Sequence, residues 1–591
     1  MKIDKKEAIK QVLDDYADCL SSKLYLEKKD QRKKWKDLYN SKRPDTSFPF
    51  EDCSNIDLGV VQIHTDSLKS RLKLAIIGSH PIFQMLPDTE LVQSKEDAMS
   101  WLLASNLIGS TGETGVEAII DDITYNTCVY GTCIIKDRWE VKEKIYRTMV
   151  EKNILGVSQE ENNTFSDTKS EEEERVRLSV VSLEDFLIPS DALNIQEANY
   201  CIHRLYLTEI ELKARKKYYQ NIDKVTDWFE KAKKATNDKD TDTYSRKRLE
   251  IIEWYGMFEV DGKIQECILT VAKEPGILLR ASLLIDVYWD NQRPFTQFIL
   301  EKTENFYGKG IPEKLEVNAE ALNDIYNISM NMAYYQMMGC GFIDENAQLS
   351  EKYEISPGVF NRINGKPSDS IMFIPYPAQA QLGQSFVGLL NNYIERKTAL
   401  SAPMQGVELP TKRTLGEIQM MRGEGEIRLQ DTISSFRRSF AYLLKSIYRL
   451  YQQNVPEKLL MSIAGLTRQQ FSSNISGDED FIILGTLTTG NQLAEREENM
   501  TLYNLLSQNP LLQLDTELSI DLLVDILRTF DKKGLIEKLE VLKDKIQQQQ
   551  QEQQILQEQQ AMQEQLMQQP QQEQQMLSQE QLLQEQAMQP V

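Results

Sequence analysis

The sequence predicts an α+β fold that is predominantly helical, in which helices come first, an antiparallel sheet follows and long helices return. Three observations support this class: amphipathic helical spacing in the first forty residues, β-branched runs between residues 128 and 271, and a long apolar stripe over residues 433–450. Because 591 residues are several times the usual domain length, we expect several packed units.

The charge balance argues against a general nucleic-acid binder. The chain has 68 Lys and Arg against 90 Asp and Glu, a formal net charge of −22, so its surface tends to repel phosphate. Seven cysteines without framework spacing, and an N-terminus without an apolar signal core, predict an intracellularly made, reduced protein. No apolar run approaches the ~18 residues of a membrane helix, so we expect no membrane partner.

The N-terminal region is predicted to consist of helices. Apolar residues recur at helical spacing through the first forty residues, which predicts one amphipathic entry helix, and residues 43–50 form a proline-containing break. A helical pattern resumes over residues 60–77. Another helix is predicted after Pro87, continuing with interruptions at the glycines to Tyr125.

Strands are predicted in the next part of the chain. Residues 128–136 and 175–181 are rich in β-branched residues, and the acidic segment 151–174 between them is predicted to be a mobile excursion from the sheet. Residues 252–260 and 263–271 flank Asp261 and Gly262, a dipeptide that favours a type I′ hairpin.

Helices return after residue 310. One is predicted from Pro312, in its first turn, to about Met338, and another over residues 378–400. Between them lies a turn-rich segment with one strand at residues 371–374. A proline- and glycine-containing loop, residues 401–413, precedes the longest helix, which begins with a capping-box pattern at Thr414 and Glu417.

The long helix is predicted to be weakened or kinked at Gly423 and Gly425 and to end before Pro456, with more helices following to about Lys545. Residues 547–591 contain 23 Gln, six Glu and no Lys or Arg. This composition is compatible with a short polar coiled coil or with a disordered tail, and both alternatives stay open.

No catalytic, cofactor-binding or metal-binding motif is present in the sequence. The glycines at 109, 112 and 115 carry Glu113 where a phosphate loop needs a lysine, which indicates a connecting loop. The histidines at 64, 80 and 203 lack zinc-protease spacing, and Cys128, Cys133 and Cys201 are interpreted as buried structural residues. We therefore predict no enzyme and no cofactor.

Several segments, taken in order, resemble phage portal proteins, the head-to-tail connectors of short-tailed tailed phages. The resemblance extends over roughly residues 30 to 455 and depends on the order of weak signatures rather than on one motif. It rests on residues 32–35, Tyr39, 63–72, Gly78, Pro81, 130–136, Trp139, 183–192, 198–204 and 208–212.

The resemblance implies a role for each region. Residues 1–309 would form the wing, 310–338 and 378–400 the stem helices, 339–377 the clip, 401–413 the tunnel loop, 414–455 a long kinked wing helix, 456–546 the crown, and 547–591 a barrel or tail. Site residues implied for the clip are Pro357, Gly358, Phe360, Arg362 and Lys366. Those implied for the tunnel loop are Pro403, Gln405, Gly406, Glu408, Lys412 and Arg413.

The implied function is that of a ring of twelve copies at one capsid vertex, through which double-stranded DNA is packaged and ejected without sequence dependence. Its implied partners are the large terminase, a head-to-tail adaptor, the major capsid protein and the scaffold protein, and its location is the virion after assembly in the host cytoplasm. A rival hypothesis is an intracellular coiled-coil scaffold or adaptor without DNA passage. Negative-stain imaging separates the two, because only the first predicts a closed ring.

Overall fold

A computed structural model of the chain describes residues 3–45, 53–79, 81–87, 89–110, 112–150, 165–235, 248–338, 341–343, 366, 371–373, 380–400, 415–472 and 480–484. These residues belong to one compact unit, Met1–Gly485. The second unit, Thr486–Val591, lies outside the described residues, as does the predicted Gln-rich coiled coil or tail.

The N-terminal region contains five helices among the described residues, together with two short strands. They are α1 (Lys5–Ser21), α2 (Lys23–Tyr39), α3 (Val60–Ile77), β1 (Phe83–Leu86), α4 (Glu90–Ser105), β2 (Leu107–Ile108) and α5 (Glu117–Tyr130). Asp4 begins α1 by accepting a hydrogen bond from the backbone N–H of Lys6 at 2.9 Å. The single entry helix predicted from the sequence is wrong, because Ser22 takes a non-helical conformation and divides it in two.

The predicted interruption at the glycines 109, 112 and 115 is confirmed, because α4 ends at Ser105 and α5, which contains Tyr125, begins only after β2 and a turn. One predicted boundary in this region is wrong. The strand predicted from Cys128 begins only at Thr132, since Cys128 lies in the last turn of α5. Gly131 ends that helix with φ 75°, and a Cβ there would collide with the backbone of Gly308, so only glycine fits.

A four-stranded sheet follows in the order β10-β3-β4-β2, in which β10 is the later strand Phe295–Ile299. Its long members are β3 (Thr132–Val150) and β4 (Phe165–Val181), which pair antiparallel from Ile134 with Val181 to Val150 with Phe165. The predicted excursion over residues 151–174 is therefore wrong in its second half, because residues 165–174 form a regular strand. Residues 151–164 lie outside the described part of the chain.

A second sheet has five strands in the order β5-β6-β7-β8-β9. Its strands are β5 (Phe186–Leu187), β6 (Tyr200–Leu207), β7 (Leu249–Val260), β8 (Lys263–Ala272) and β9 (Ile277–Leu283). The predicted hairpin is confirmed, with φ 50° at Asp261 and 76° at Gly262. One face of this sheet packs against the buried side of α1, which includes Val12 and Tyr16.

A buried ion pair joins the two sheets. Lys136 on β3 contacts the carboxylate of Glu253 on β7, and its Nζ lies 3.2 Å from Nδ1 of His203 on β6. Burial alone would raise the pKa of Glu253, but the adjacent Lys136 and the hydrogen bonds to the carboxylate hold it well below its usual range. Burial and the same cation lower the pKa of His203, so the cluster contains one ion pair and a neutral imidazole. Cys201 and His203 are buried strand residues, as predicted.

The remaining elements of the central region are α6 (Glu209–Ala214), α7 (Ile222–Ala235), α8 (Leu284–Val287) and β10 (Phe295–Ile299). After them come α9 (Ile311–Met338), β11 (Gly341–Ile343), β12 (Ile371–Phe373) and α10 (Ala380–Thr398). The two helices predicted around residues 310–338 and 378–400 and the strand at 371–374 are confirmed, and β12 pairs antiparallel with β11.

The C-terminal part of the described chain contains α11 (Leu415–Asn454), α12 (Glu457–Ala464), α13 (Arg468–Ser472) and β13 (Asp480–Ile483). Helix α11 ends before Pro456, and its stripe from Ile433 to Leu450 is buried, both as predicted. Bending at Gly423 and Gly425 stays a prediction, and Thr414 of the capping box lies outside the described residues. Strand β13 pairs with β1, a contact the sequence did not predict.

Candidate functional site

Helices α9 and α10 pack side by side as an antiparallel pair, which we call the helix pair. Near one end, Lys397 Nζ donates hydrogen bonds to the carbonyl of Lys314 at 3.1 Å and to Oδ1 of Asn318 at 2.7 Å. Further along, Gly383 faces Ser329 so closely that a Cβ at Gly383 would collide with the Ser329 hydroxyl. A larger residue at position 383 would require the Ser329 hydroxyl to rotate away.

One side of α10 is apolar and uncovered. Phe386, Leu389 and Tyr393 are spaced three and four residues apart, so they lie on one face, and their exposed fractions are 52%, 53% and 56%. Within the part of α10 whose side chains the structure describes, only Ile394 and Thr398 are buried. Contiguous exposed apolar side chains of this kind mark interaction surfaces in soluble proteins.

Helix α9 also presents apolar residues to the outside. Val317 and Ile328 are 75% and 58% exposed. They are separated by three helical turns and therefore share a face. The helix pair thus has outward apolar positions on both of its members, which the rest of the described chain leaves uncovered.

An adjacent side of α9 carries three buried asparagines, Asn323, Asn327 and Asn331, which we call the asparagine ladder. The ladder binds residues 53–58, which run beside the helix. Asn331 Oδ1 accepts from Ser54 N at 2.8 Å, and Asn323 Oδ1 accepts from Leu58 N at 3.0 Å. Between them, Asn327 bonds both backbone groups of Ile56 at 2.8 Å.

The spacing of the ladder explains why it fits an extended segment. Residues four apart in a helix are separated by about 6 Å along its axis, and alternate residues of an extended chain by about 6.6 Å. Each successive asparagine therefore meets every second residue of the segment. This arrangement was not predicted from the sequence, although asparagine repeated every four residues inside a helix is a usable signal because asparagine is a weak helix former.

Charged contacts attach α2 to α9 on a further side. Lys28 lies 3.0 Å from Glu313, and Lys34 lies 2.7 Å from Glu316 and 2.9 Å from Glu320. These contacts add to the buried ring of Trp35, whose Nε1 donates to Glu316 at 3.4 Å. Helix α9 is thus held by α2, the ladder segment and α10, while its outer face has no cover among the described residues.

The C-terminal end of α10 is anchored to α3 through His64. Its Nδ1 lies 3.1 Å from Oγ1 of Thr398, and both side chains are buried. Burial lowers the pKa of His64 to about 4, so the imidazole is neutral at physiological pH. The anchor therefore orients the helix pair without placing a charge in the core.

Across the residues that the structure describes, no group of three or more His, Cys, Asp or Glu side chains is arranged to hold a metal ion. Within the same residues, no helix is long and apolar enough to cross a membrane. The outer apolar face of the helix pair has no partner among the described residues.

Comparison with known protein families identifies the chain. The family model described as phage SU10 portal protein matches residues 9–576 of the 591. The chain belongs to the phage SU10 portal protein family. A comparison with curated proteins finds no match. The portal resemblance predicted from the sequence is thereby confirmed, and the match continues past residue 455 into the Gln-rich segment.

The site residues predicted for this portal protein fall almost entirely outside the described part of the chain. The tunnel-loop residues outside the described part are Pro403, Gln405, Gly406, Glu408, Lys412 and Arg413. The clip residues outside the described part are Pro357, Gly358, Phe360 and Arg362. Lys366 of the predicted clip is described and is exposed. The assignment of these residues to a tunnel loop and a clip stays a prediction.

Proposed function

We propose that this portal protein assembles into a closed ring at a unique capsid vertex, where it forms the conduit for packaging and ejecting double-stranded DNA and the attachment point for the tail. The observation that carries the proposal is the uncovered apolar face of the helix pair in a member of a portal family. Burying that face requires another molecule, and identical copies are the simplest source.

Membership of a portal family favours a ring over a two-fold dimer. Helix α9 has 28 residues and is about 42 Å long, so it offers a long lateral surface. A contact between two different surfaces of the same chain is heterologous, and it closes into a ring when the rotation between copies divides a full turn. The resemblance suggests twelve copies.

Within this ring, α9 and α10 would be the stem helices, residues 339–377 the clip, and residues 401–413 the tunnel loop. Residues 1–309 and 414–455 would form the wing, 456–546 the crown, and 547–591 a barrel or tail. The proposed partners are the large terminase, a head-to-tail adaptor, the major capsid protein and the scaffold protein. The protein would act as a structural conduit in the virion and not as a motor.

The formal charge suits a conduit. A wall that carries net negative charge gains little from counterion release and so does not trap a polymer that must slide past it. The family match gives no support to the rival hypothesis of a coiled-coil adaptor without DNA passage.

The ring is tested by negative-stain imaging and mass measurement of the purified full chain. We expect closed rings with a central hole and a mass that is a fixed multiple of the 68.3 kDa chain. Monomers at every concentration, and in virions as well, would contradict the proposal.

The tunnel loop is tested separately. Lys412 and Arg413 would contact backbone phosphates from the channel wall, or they would pair with Glu408 or Glu417 at the base of the helix. Deleting residues 405–408 should preserve the ring and reduce the amount of packaged or retained DNA. Normal genome filling by rings of the deletion variant would remove the loop from the mechanism and leave the ring proposal intact.

A further inference from the structure

The outer half of the β3–β4 hairpin extends beyond the sheet that contains it. Strand β10 pairs with β3 only over residues 132–136, and β2 pairs with β4 only at Val176 and Arg177. Residues 141–150 and 165–173, which we call the arm, therefore have no further strand beside them within the described residues. At about 3.4 Å per residue the arm is roughly 30 Å long.

Neither edge of the arm pairs with a further strand among the described residues, and the two edges face in opposite directions. In the strand order β10-β3-β4-β2, the free edge of β3 lies on one side of the hairpin and the free edge of β4 on the other. An open edge presents unpaired N–H and C=O groups and is a template for pairing with another strand. A long exposed strand with two free edges is unusual unless something covers them.

The two edges carry opposite charge. Residues 141–147 on β3 include three cationic residues and one anionic residue, whereas residues 170–175 on β4 include four glutamates and one arginine. Lys142, Lys144 and Glu172 are exposed. A strand added beside β3 would therefore meet cationic neighbours, and a strand added beside β4 would meet anionic ones.

The same charges also pair within the hairpin, but those pairs are weak. Lys144 lies 3.7 Å from Glu173, and Lys142 lies 3.4 Å from Glu140, with both lysines more than half exposed. Exposed ion pairs of this kind contribute little and leave the charges able to attract a further strand. The cationic edge of one arm is thus complementary to the anionic edge of the arm in another copy, provided that the copies meet edge to edge in the same orientation.

We propose that the free edge of β3 in one copy pairs with the free edge of β4 in the next copy, so that the arms of adjacent subunits form a continuous β-belt. The proposal rests on the ring inferred above. A contact of β3 with β4 is heterologous, as a ring requires, and it leaves no open arm edge once the ring is closed.

Crosslinking between two single-cysteine variants tests the direction of the contact. Lys144→Cys and Glu172→Cys are placed in separate chains of a Cys340→Ser background, because the other six cysteines are buried. The chains are co-expressed and treated with a short bismaleimide. We expect crosslinked dimers from the mixture and almost no dimer when either variant is treated alone.

Two results would overturn the β-belt. Dimers from each variant alone would show like edges meeting, and no dimer from the mixture would show that the arms do not meet. The ring proposal is judged independently by imaging the same samples. Intact rings without crosslinks reject the β-belt only, whereas the absence of rings from the unmodified protein rejects the proposed function.

A charge exchange provides the second test. One variant carries Lys142→Glu and Lys144→Glu, which makes both edges acidic, and the other carries Glu171→Lys, Glu172→Lys and Glu173→Lys, which makes both edges basic. Each alone repels its own copies, but in an equal mixture every acidic edge meets a basic one. Mixing the two variants does not restore the ion pairs within each hairpin. Recovery of assembly in the mixture therefore reports contacts between chains.

We expect each variant alone to need about tenfold more protein to form rings, and the mixture to assemble at the wild-type concentration. Lys216→Glu with Lys217→Glu, on the exposed surface away from the arm, changes the net charge as the first variant does and is the matched control. The charged arm contact would be excluded if both variants assembled at the same protein concentration as wild type. It would also be excluded if mixing the folded variants did not restore assembly.

Discussion

Asn327 and Ile56 are joined by the same kind of paired hydrogen bonds that joins two opposite residues of neighbouring antiparallel β-strands. Ile56 N donates to Asn327 Oδ1, and Asn327 Nδ2 donates to the carbonyl of Ile56, both at 2.8 Å. A side-chain amide thus replaces a strand backbone on the surface of a helix. Asn323 and Asn331 each accept one further backbone N–H on either side, so residues 53–58 are fixed to α9 without a sheet.

The first prediction concerns this ladder. Asn327→Ala should lower the free energy of unfolding by about 1–2 kcal/mol, because both backbone groups of Ile56 and the hydroxyl of Ser54 lose their partner in a partly buried place. Denaturant unfolding measures the change. Asn392→Ala, at an exposed position of α10, is the matched control and should be neutral or slightly stabilising. Equal stability of the two variants would show that other contacts hold the segment.

The second prediction concerns the buried ion pair between the sheets. Glu253→Gln should destabilise the fold by about 3 kcal/mol or more, because Lys136 is then left as an uncompensated buried charge. Chemical denaturation of the full chain measures the loss.

The double variant Glu253→Gln with Lys136→Met serves as the control for this pair. It should recover most of the stability, since an apolar group of similar length then replaces the unpaired cation. A double variant no more stable than the single one would indicate that the loss arises from packing around β7 and not from charge.

The predictions from the sequence succeeded where a short local pattern determines the structure. Helix α9 begins one residue before Pro312 and ends at Met338 because proline suits a first helical turn and the apolar period continues unbroken to the end. The hairpin at Asp261 and Gly262 follows from the positive φ that both residues tolerate. In each case the deciding interactions lie within a few residues.

The predictions failed where distant contacts decide. Cys128 has strand propensity, but it is helical because α5 packs its apolar side against neighbouring elements, and only Gly131 ends the helix. Strand β13 has its partner β1 at the other end of the unit, which no local window contains. The first part of β4 lacks apolar alternation, and it forms a strand through its pairing with β3.

For the candidate site, apolar spacing predicted α10 but did not distinguish a buried face from an exposed one. Phe386 and Leu389 have the same helical period as core residues such as Phe436 and Phe440, although the first two are exposed and the others are buried. Exposure depends on what the rest of the chain places nearby. The open face of the helix pair therefore became visible only in three dimensions.

The third prediction is a dependence on pH. Burial, with a contribution from nearby Asp290, raises the pKa of Asp137 to about 6, whereas a hydrogen bond from Ser446 opposes the rise. The unfolded carboxyl titrates near 3.9, so the folded state loses stability as pH rises from about 4 to about 6. Asp137→Asn should therefore be more stable than wild type by up to about 3 kcal/mol at pH 8, and equal to it below pH 4.

Thermal and denaturant unfolding of both proteins across this pH range test the prediction. Asp191→Asn, at an exposed position, is the control and should show no such pH-dependent gain. If Asp137→Asn is less stable than wild type at pH 8, the buried carboxylate is stabilised by its surroundings and the predicted direction of the stability change is wrong.

The fourth prediction concerns the uncovered face of the helix pair. Leu389→Glu places a carboxylate in the middle of that face, where it is tolerated in a monomer because the position is exposed, but is costly once a neighbouring copy covers it. A cost of about 3 kcal/mol per contact would weaken each contact about a hundredfold. We therefore expect unchanged unfolding of the single chain and loss of rings at micromolar concentration, measured by analytical ultracentrifugation and negative-stain imaging. Ile264→Glu, at a 73% exposed position of β8, is the matched control and should still form rings. Rings that assemble normally from Leu389→Glu would move the interface to another surface, because a carboxylate at a closed apolar contact has no compensating partner.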